Sequence, residues 1–223
     1  MLAQALMIRS IPAVKLFING EIRDEFVGAY PEPEVRRFLE HHLPAPAATE
    51  AVEGLRMMKG GNPEEAVERF KQVLEKEPTN APALLGMGHH HVDRGDLAAA
   101  KDVVGKINDI ELDKLPDAKA INRDLAALQG KIFLLEHQQA AAAGGTDGQD
   151  KPELAEAFQR AVGEALQGAY QQALDDFLLV VKKDRKFKAD AGRKGMLAVF
   201  ALLPPDSRLV DDYRAKLSSI LFS

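Results

Sequence analysis

The stretches 49–78, TEAVEGLRMMKGGNPEEAVERFKQVLEKEP, and 83–107, ALLGMGHHHVDRGDLAAAKDVVGKI, decide the fold of this chain. When the sequence is shifted by 34 residues, Gly54 falls on Gly88, Gly61 on Gly95 and Ala66 on Ala100. In each stretch, apolar residues recur at helical spacing on both sides of a turn that contains glycine. The sequence therefore predicts two copies of one helical hairpin between Thr49 and Ile107.

The second helix of each hairpin is predicted over Pro63 to Lys76 and over Asp96 to Ile107. The period, together with Gly54, Ala66, Phe70 and Pro78, resembles the tetratricopeptide repeat. The resemblance implies a mainly α fold in which stacked helical hairpins form a binding scaffold, and it says little about chemistry.

The C-terminal half continues this pattern. One long helix is predicted from Asp117 to Gln138, followed by a flexible low-complexity insert at about 139–150. A third repeat follows, with helices from Leu154 to Leu166 and from Tyr170 to Lys182, and a closing pair spans 189–203 and 206–221. The prediction is a tetratricopeptide-like array of about eight to ten helices over residues 47–223, by the rule of two helices per repeat.

Residues 1–44 have a different pattern. A strand, AVKLFI at 13–18, precedes the Asn19-Gly20 hairpin signal, a second strand at 22–28 and an amphipathic helix at 32–43. With Ile11-Pro12 in front, this order resembles the C-terminal part of a thioredoxin-like domain, a partial thioredoxin fold of hairpin plus helix. The resemblance implies that Pro12 is the cis-proline of that family. Pro44-Ala45-Pro46 is predicted to link this piece to the array.

The first strands of a thioredoxin domain and its Cys-x-x-Cys motif have no counterpart here. The strand at 13–18 would then have an unpaired outer edge, which favours association with another chain. Two explanations stay open. Either the parent protein is longer and carries a complete domain with redox cysteines, or a second chain covers the edge and forms a homodimer.

The order of the whole chain, with a tail at 177–222 that fits throughout, resembles the thioredoxin–tetratricopeptide co-chaperones of the YbbN or chaperedoxin type. The resemblance implies a cytoplasmic, non-enzymatic co-chaperone or holdase in protein folding and the stress response. Its expected partners are unfolded client proteins and a chaperonin or Hsp70-type chaperone. The alternative is a repeat scaffold for one dedicated complex. A third reading is a thioredoxin-type redox protein, if a missing N-terminal half supplies the thiols.

The composition of the chain argues against several classes of function. The 223 residues are 46% hydrophobic, which indicates packed cores, and the formal net charge of -5 argues against nucleic acid as a partner. No apolar run is long enough for a membrane span, and residues 1–12 carry no secretory signal. The chain has no cysteine, no phosphate-binding glycine loop and no evident acid–base pair, so we expect neither an enzyme nor a cofactor.

Two charged clusters invite a functional reading. Three consecutive histidines, His89 to His91, point about 100° apart on a helix and so cannot converge on one metal ion. The basic stretch from Lys182 to Lys188 follows a predicted helix C-terminus, where cations are favoured, although an acidic partner surface stays open. We predict no metal site, and we interpret the basic stretch as a solvated turn.

In the tetratricopeptide family, the first helix of each repeat lines a concave groove. The corresponding positions here form a largely apolar set of candidate protein-binding residues: Leu55, Met58, Leu85, His89, Val92, Phe158, Val162 and Leu166. This set suits nonpolar segments of unfolded chains and lacks the polar clamp that other family members use for C-terminal carboxylates. The open alternative is that these residues pack against the chain's own long helix at Asp117 or against the thioredoxin-like piece.

Overall fold

The computed structural model describes residues 6, 8, 10–18, 21–42, 46–115, 117–143 and 151–221. Within these residues, the mainly α fold with an N-terminal two-stranded hairpin is confirmed. The chain separates into two compact units, Met1–Ala45 and Pro46–Ser223. Three predicted features lie outside the described residues: the Asn19-Gly20 turn, the linker residues 44–45, and positions 144–150 of the low-complexity insert. The prediction that this insert begins at about 139 is wrong, because the preceding helix continues to Ala142.

In the first unit, strands β1 (Ala13–Ile18) and β2 (Glu21–Val27) pair antiparallel, and helix α1 (Glu32–His42) follows them. The buried Phe26 ring stacks on Tyr30, with centroids 4.5 Å apart, and meets Phe38 of α1 edge-on at 4.9 Å. Nε2 of His42 lies 3.0 Å from a carboxylate oxygen of Asp24. The Ile11-Pro12 peptide bond is cis. The thioredoxin-like assignment of this unit stays a prediction.

The described part of the second unit is built from nine α-helices and a short 3-10 helix, Leu112–Lys114. The helices are α2 (Pro46–Lys59), α3 (Pro63–Lys76), α4 (Ala81–Asp93), α5 (Leu97–Asn108), α6 (Ala118–Ala142), α7 (Pro152–Leu166), α8 (Tyr170–Lys183), α9 (Ala191–Leu202) and α10 (Arg208–Leu221). Consecutive helices up to α9 pack on one another, while α10 packs on α8.

Local signals fix the ends of these helices. The side chains of Asn80 and Asp96 cap α4 and α5 by accepting hydrogen bonds from the backbone N–H groups of Ala83 (3.1 Å) and Ala99 (3.0 Å). The turns of the hairpins α2–α3, α4–α5 and α7–α8 each contain a glycine in the left-handed region, with φ of +91°, +76° and +80°. The three hairpins are therefore closed by the same turn chemistry.

Phe70 of α3 and Phe177 of α8, which occupy the same repeat position, are fully buried. Each ring lies against a neighbouring helix at a point where that helix has no side chain. A methyl group added to Gly86 would overlap the Phe70 ring, and one added to Gly195 would overlap the Phe177 ring. A buried phenylalanine therefore packs on a glycine of the following helix in both places.

The second unit contains three hydrophobic clusters. The first lies around Phe70, the second joins α4 and α5 to the N-terminal part of α6, and the third joins α7 to α10. Helix α6 belongs to two of them, since Leu128 and Ile132 lie in the second and Leu134 lies in the third. This one helix connects the N-terminal repeats to the C-terminal half.

Candidate functional site

The eight predicted groove residues do not form one accessible surface. Leu85, Val92, Phe158 and Val162 are at most 3% exposed and belong to the hydrophobic clusters. The prediction that these four line an open groove is wrong. The remaining four, Leu55, Met58, His89 and Leu166, are half-buried, and a binding role for them stays a prediction.

The physical reason is the helix that follows the second repeat. Leu85 and Val92 lie in one cluster with Leu128 and Ile132, so the apolar face of α6 covers the inner face of α4. Phe158 and Val162 belong to the C-terminal cluster, which contains Phe177 of α8 and also Leu134 of α6. For Leu85 and Val92, the open alternative in the sequence reading, packing against the chain's own long helix, is the one found.

The C-terminal half contains a cleft of about 850 Å³ between the end of α6, the beginning of α7 and the turn before α9. We call it the α6–α7 cleft. Its lining is Glu136, His137, Ala140, Ala141, Ala155, Glu156, Gln159, Lys188 and Ala189. Four of these nine residues are alanines, so the walls are low and leave room for a close approach of another backbone.

An aromatic group supports the floor of the cleft. Nδ1 of His137 lies 2.8 Å from the backbone carbonyl of Phe133, which fixes the imidazole ring. This ring stands edge-on to Phe158, with centroids 5.1 Å apart. Phe158 itself is fully buried beneath the cleft. Phe158, which was predicted to bind a partner protein, therefore lies beneath the floor of the cleft. His137, which was not among the predicted residues, lines the cleft.

The third wall is an unusual turn. Lys188, Ala189 and Asp190 all have left-handed backbone angles, with φ of +47°, +53° and +70°. Such angles are unfavourable for residues with a Cβ and persist where the surroundings enforce them. Here the Arg193 side chain contributes, since its Nε donates a 2.5 Å hydrogen bond to the Asp190 carboxylate. The Lys188 ammonium lies 5.6 Å from the centre of the Phe158 ring, within cation–π range.

The charges on the lining are largely committed to contacts. Glu136 forms an ion pair with Lys101 of α5, and Lys188 lies against the Phe158 and Phe187 rings. Glu156 is exposed at the rim, and Gln159 is half-buried beside it. The cleft thus combines small apolar walls with a rim that can orient a polar group.

A second polar cluster lies where α7, α8 and α10 meet. The Tyr213 hydroxyl donates a 2.5 Å hydrogen bond to Asp175, and the Arg160 guanidinium binds both oxygens of Asp176 at 2.5 and 2.8 Å. Burial, and then Asp176, raise the pKa of the nearby Glu164, one of whose oxygens is buried without a hydrogen-bond partner. These contacts attach α10 and α7 to α8, which is a structural role.

The three histidines of α4 are all half-buried. The rings of His90 and His91 have centroids 5.8 Å apart, and burial lowers the pKa of His90, with a smaller contribution from His91. In the described part of the chain, no three metal-ligating side chains lie together. The basic stretch is also engaged, since Arg185 donates to the carbonyl of Leu221 at 3.2 Å and Lys183 lies 3.6 Å from Glu153.

Two family models, both described as tetratricopeptide repeat, match this chain, one over residues 57–132 and the other over residues 135–222. No curated protein matches it. Of the helices in the described ranges, none is long and apolar enough to cross a membrane.

Proposed function

Because this chain is a tetratricopeptide-repeat protein, we propose that it is a non-enzymatic scaffold that binds a segment of a partner protein in the α6–α7 cleft. Tetratricopeptide repeats mediate protein–protein interaction, so the class of partner is a protein. The observation that carries the choice of site is the cleft itself, with its alanine walls and mixed polar rim.

The lining suits a peptide segment with small or flat side chains. Ala140, Ala141 and Ala155 let a bound backbone come close, which gives contact area without requiring large pockets. The exposed carboxylate of Glu156 would orient a donor of the segment, either a basic side chain or a backbone N–H. The segment would thus be recognised by its shape and by a few hydrogen bonds rather than by a long apolar stripe.

The floor and the third wall are rigid, which lowers the entropic cost of binding. The His137 ring is fixed by its hydrogen bond, and Lys188 is held over Phe158 by a turn with three left-handed residues. Strained backbone of this kind clusters at ligand-binding sites in proteins generally. The turn therefore supports the choice of this cleft over the half-exposed residues of α2.

We further propose the finer role of a cytoplasmic co-chaperone or holdase that passes unfolded clients to a chaperonin or an Hsp70-type chaperone. The resemblance of the element order to the thioredoxin–tetratricopeptide co-chaperones supports this role. The alternative is a scaffold for one dedicated complex. A broad set of proteins co-purifying with the tagged chain from its native lysate would favour the first role, and a single stoichiometric partner would favour the second.

The cleft is tested by filling it. Ala141 is exposed on the wall, and we expect Ala141→Trp to abolish the suppression of aggregation of a thermally unfolded model protein and the capture of partners. The matched control is Ala126→Trp, at an exposed position of the same helix outside the cleft. If both variants behave like the wild type, the cleft is the wrong site. If both variants lose binding while staying folded, partner binding is not confined to the cleft.

A further inference from the structure

Most of the exposed large hydrophobic side chains in the described residues lie in the first unit. Seven of the ten strongly exposed large hydrophobic residues in the described part of the chain lie there: Ile11, Val14, Phe17, Ile22, Val27, Tyr30 and Leu39. Among its described residues, Phe26 is the one buried hydrophobic side chain. A two-stranded sheet alone is marginally stable in water.

Half of the backbone groups of β1 point away from β2. The described residues give β1 one strand neighbour, β2. The backbone N–H of Gly28 donates to the carbonyl of Pro12 (2.8 Å), so residues 12, 14 and 16 direct their backbone groups to β2, and residues 13, 15 and 17 direct theirs outward. The irregularity of the hairpin lies in β2, where Arg23 is passed over between the pairs Leu16–Asp24 and Phe17–Ile22. The strand whose outer edge has no neighbour among the described residues, β1, is therefore the regular one.

We propose that two copies of this chain pair antiparallel through β1, with Leu16 opposite Leu16 of the second copy. In this register Lys15 lies opposite Phe17 of the second copy, and both residues belong to the outward set that makes the new hydrogen bonds. The sequence around Leu16 is self-complementary in this arrangement, as a two-fold interface requires. The neighbouring register would place Lys15 opposite Lys15, where like charges repel.

The charge of β1 also favours a second copy of the chain as its partner. Lys15 is the charged residue of β1, and it already forms an ion pair with Glu25 across the hairpin. Pairing two β1 edges thus brings together no uncompensated charge, and it places the Lys15 stem beside an aromatic ring. This proposal concerns the first unit and does not depend on the α6–α7 cleft. Dimerisation through β1 and peptide binding in the cleft can therefore be refuted separately.

The test uses the purified full chain. Sedimentation across a concentration series should give a mass of twice 24.4 kDa at the upper end. Phe17→Lys places a lysine opposite Lys15 twice per dimer and should weaken association by about tenfold. The control is Ile22→Lys, equally exposed on the same sheet face but on β2, which should leave the dimer intact. A monomer at every concentration would overturn the proposal, and so would equal loss in both variants, which indicates docking through the face.

A second measurement tests the register. The chain has no cysteine, so a single introduced cysteine can form a disulfide only with the same cysteine of a second copy. Directly opposed residues at a pair without hydrogen bonds are close enough for a disulfide. We expect oxidised Leu16→Cys to form a covalent dimer rapidly and Ile22→Cys to stay largely monomeric. Equal cross-linking rates would rule out the proposed register.

Discussion

At Gly86, one methyl group would decide whether two helices can pack. A Cβ at this position would overlap the Phe70 ring, which is fully buried. We expect Gly86→Ala to lower the free energy of unfolding by about 1–3 kcal/mol, the usual cost of overpacking. Urea denaturation followed by helical circular dichroism measures the change.

The matched control for that substitution is Gly105→Ala in α5. Nothing lies within 4 Å of a Cβ at this position, and its backbone angle is ordinary. Alanine is the better helix former there, so the free energy of unfolding should rise by roughly 0.5–1 kcal/mol. Equal effects of the two substitutions would show that the Phe70–Gly86 contact is not formed.

Tyr213 makes stability depend on alkaline pH. Burial, and then the hydrogen bond to Asp175, raise the pKa of this phenol to about 12. Since the folded pKa exceeds the ordinary value of about 10, the neutral form stabilises the fold fully below pH ~10, and that contribution is lost as the pH rises towards 12. We expect the stability of the wild type relative to Tyr213→Phe to fall over this interval. The phenolate absorbance of Tyr213 is the difference between the absorbances of the two proteins. If this difference titrates with a midpoint near pH ~10, the contact with Asp175 is contradicted.

On the scale of elements, α6 and α9 lie unusually close together. A Cβ on Gly130 of α6 would lie 2.9 Å from the backbone oxygen of Ala198 and 3.0 Å from its Cα. Backbone cannot move aside as a side chain can, so Gly130→Ala should push α9 away. We expect faster amide hydrogen exchange in α9, whereas Gly163→Ala, at an open position of α7, should leave it unchanged. Unchanged exchange in both variants would contradict this crossing.

Periodicity was sufficient to predict the elements whose own sequence determines them. The strand at 13–18 and the helix at 63–76 were predicted with the bounds that the structure has. The start of α9 was missed by two residues, because Lys188 to Asp190 adopt left-handed angles without a glycine to signal them. The groove could not be predicted from repeat positions, because the burial of Leu85 and Val92 depends on where α6 packs. The cleft has only a weak signal in the sequence, namely the alanines at 140–141.

At the scale of the molecule, the three hydrophobic clusters found among the described residues begin at Ala51. The helical array should therefore fold without the first unit. We expect a chain lacking residues 1–45 to keep its helical circular dichroism and to melt within a few degrees of the full chain, since no cluster loses a member. A melting temperature lowered by more than about 10 °C, the effect of losing about 2.5–5 kcal/mol in a domain of this size, would contradict this expectation.

The sharing of α6 between two clusters has a thermodynamic consequence for ligand detection. Its last turns line the cleft, while its first turns hold the cluster around Leu128. A peptide that binds only when α6 is helical stabilises the helix by RT ln(1 + [L]/Kd), about 2.7 kcal/mol at a hundredfold excess over Kd. Because one continuous helix carries that free energy, opening of α4 and α5 against α6 should also become rarer. Amides far from the peptide would then report its presence.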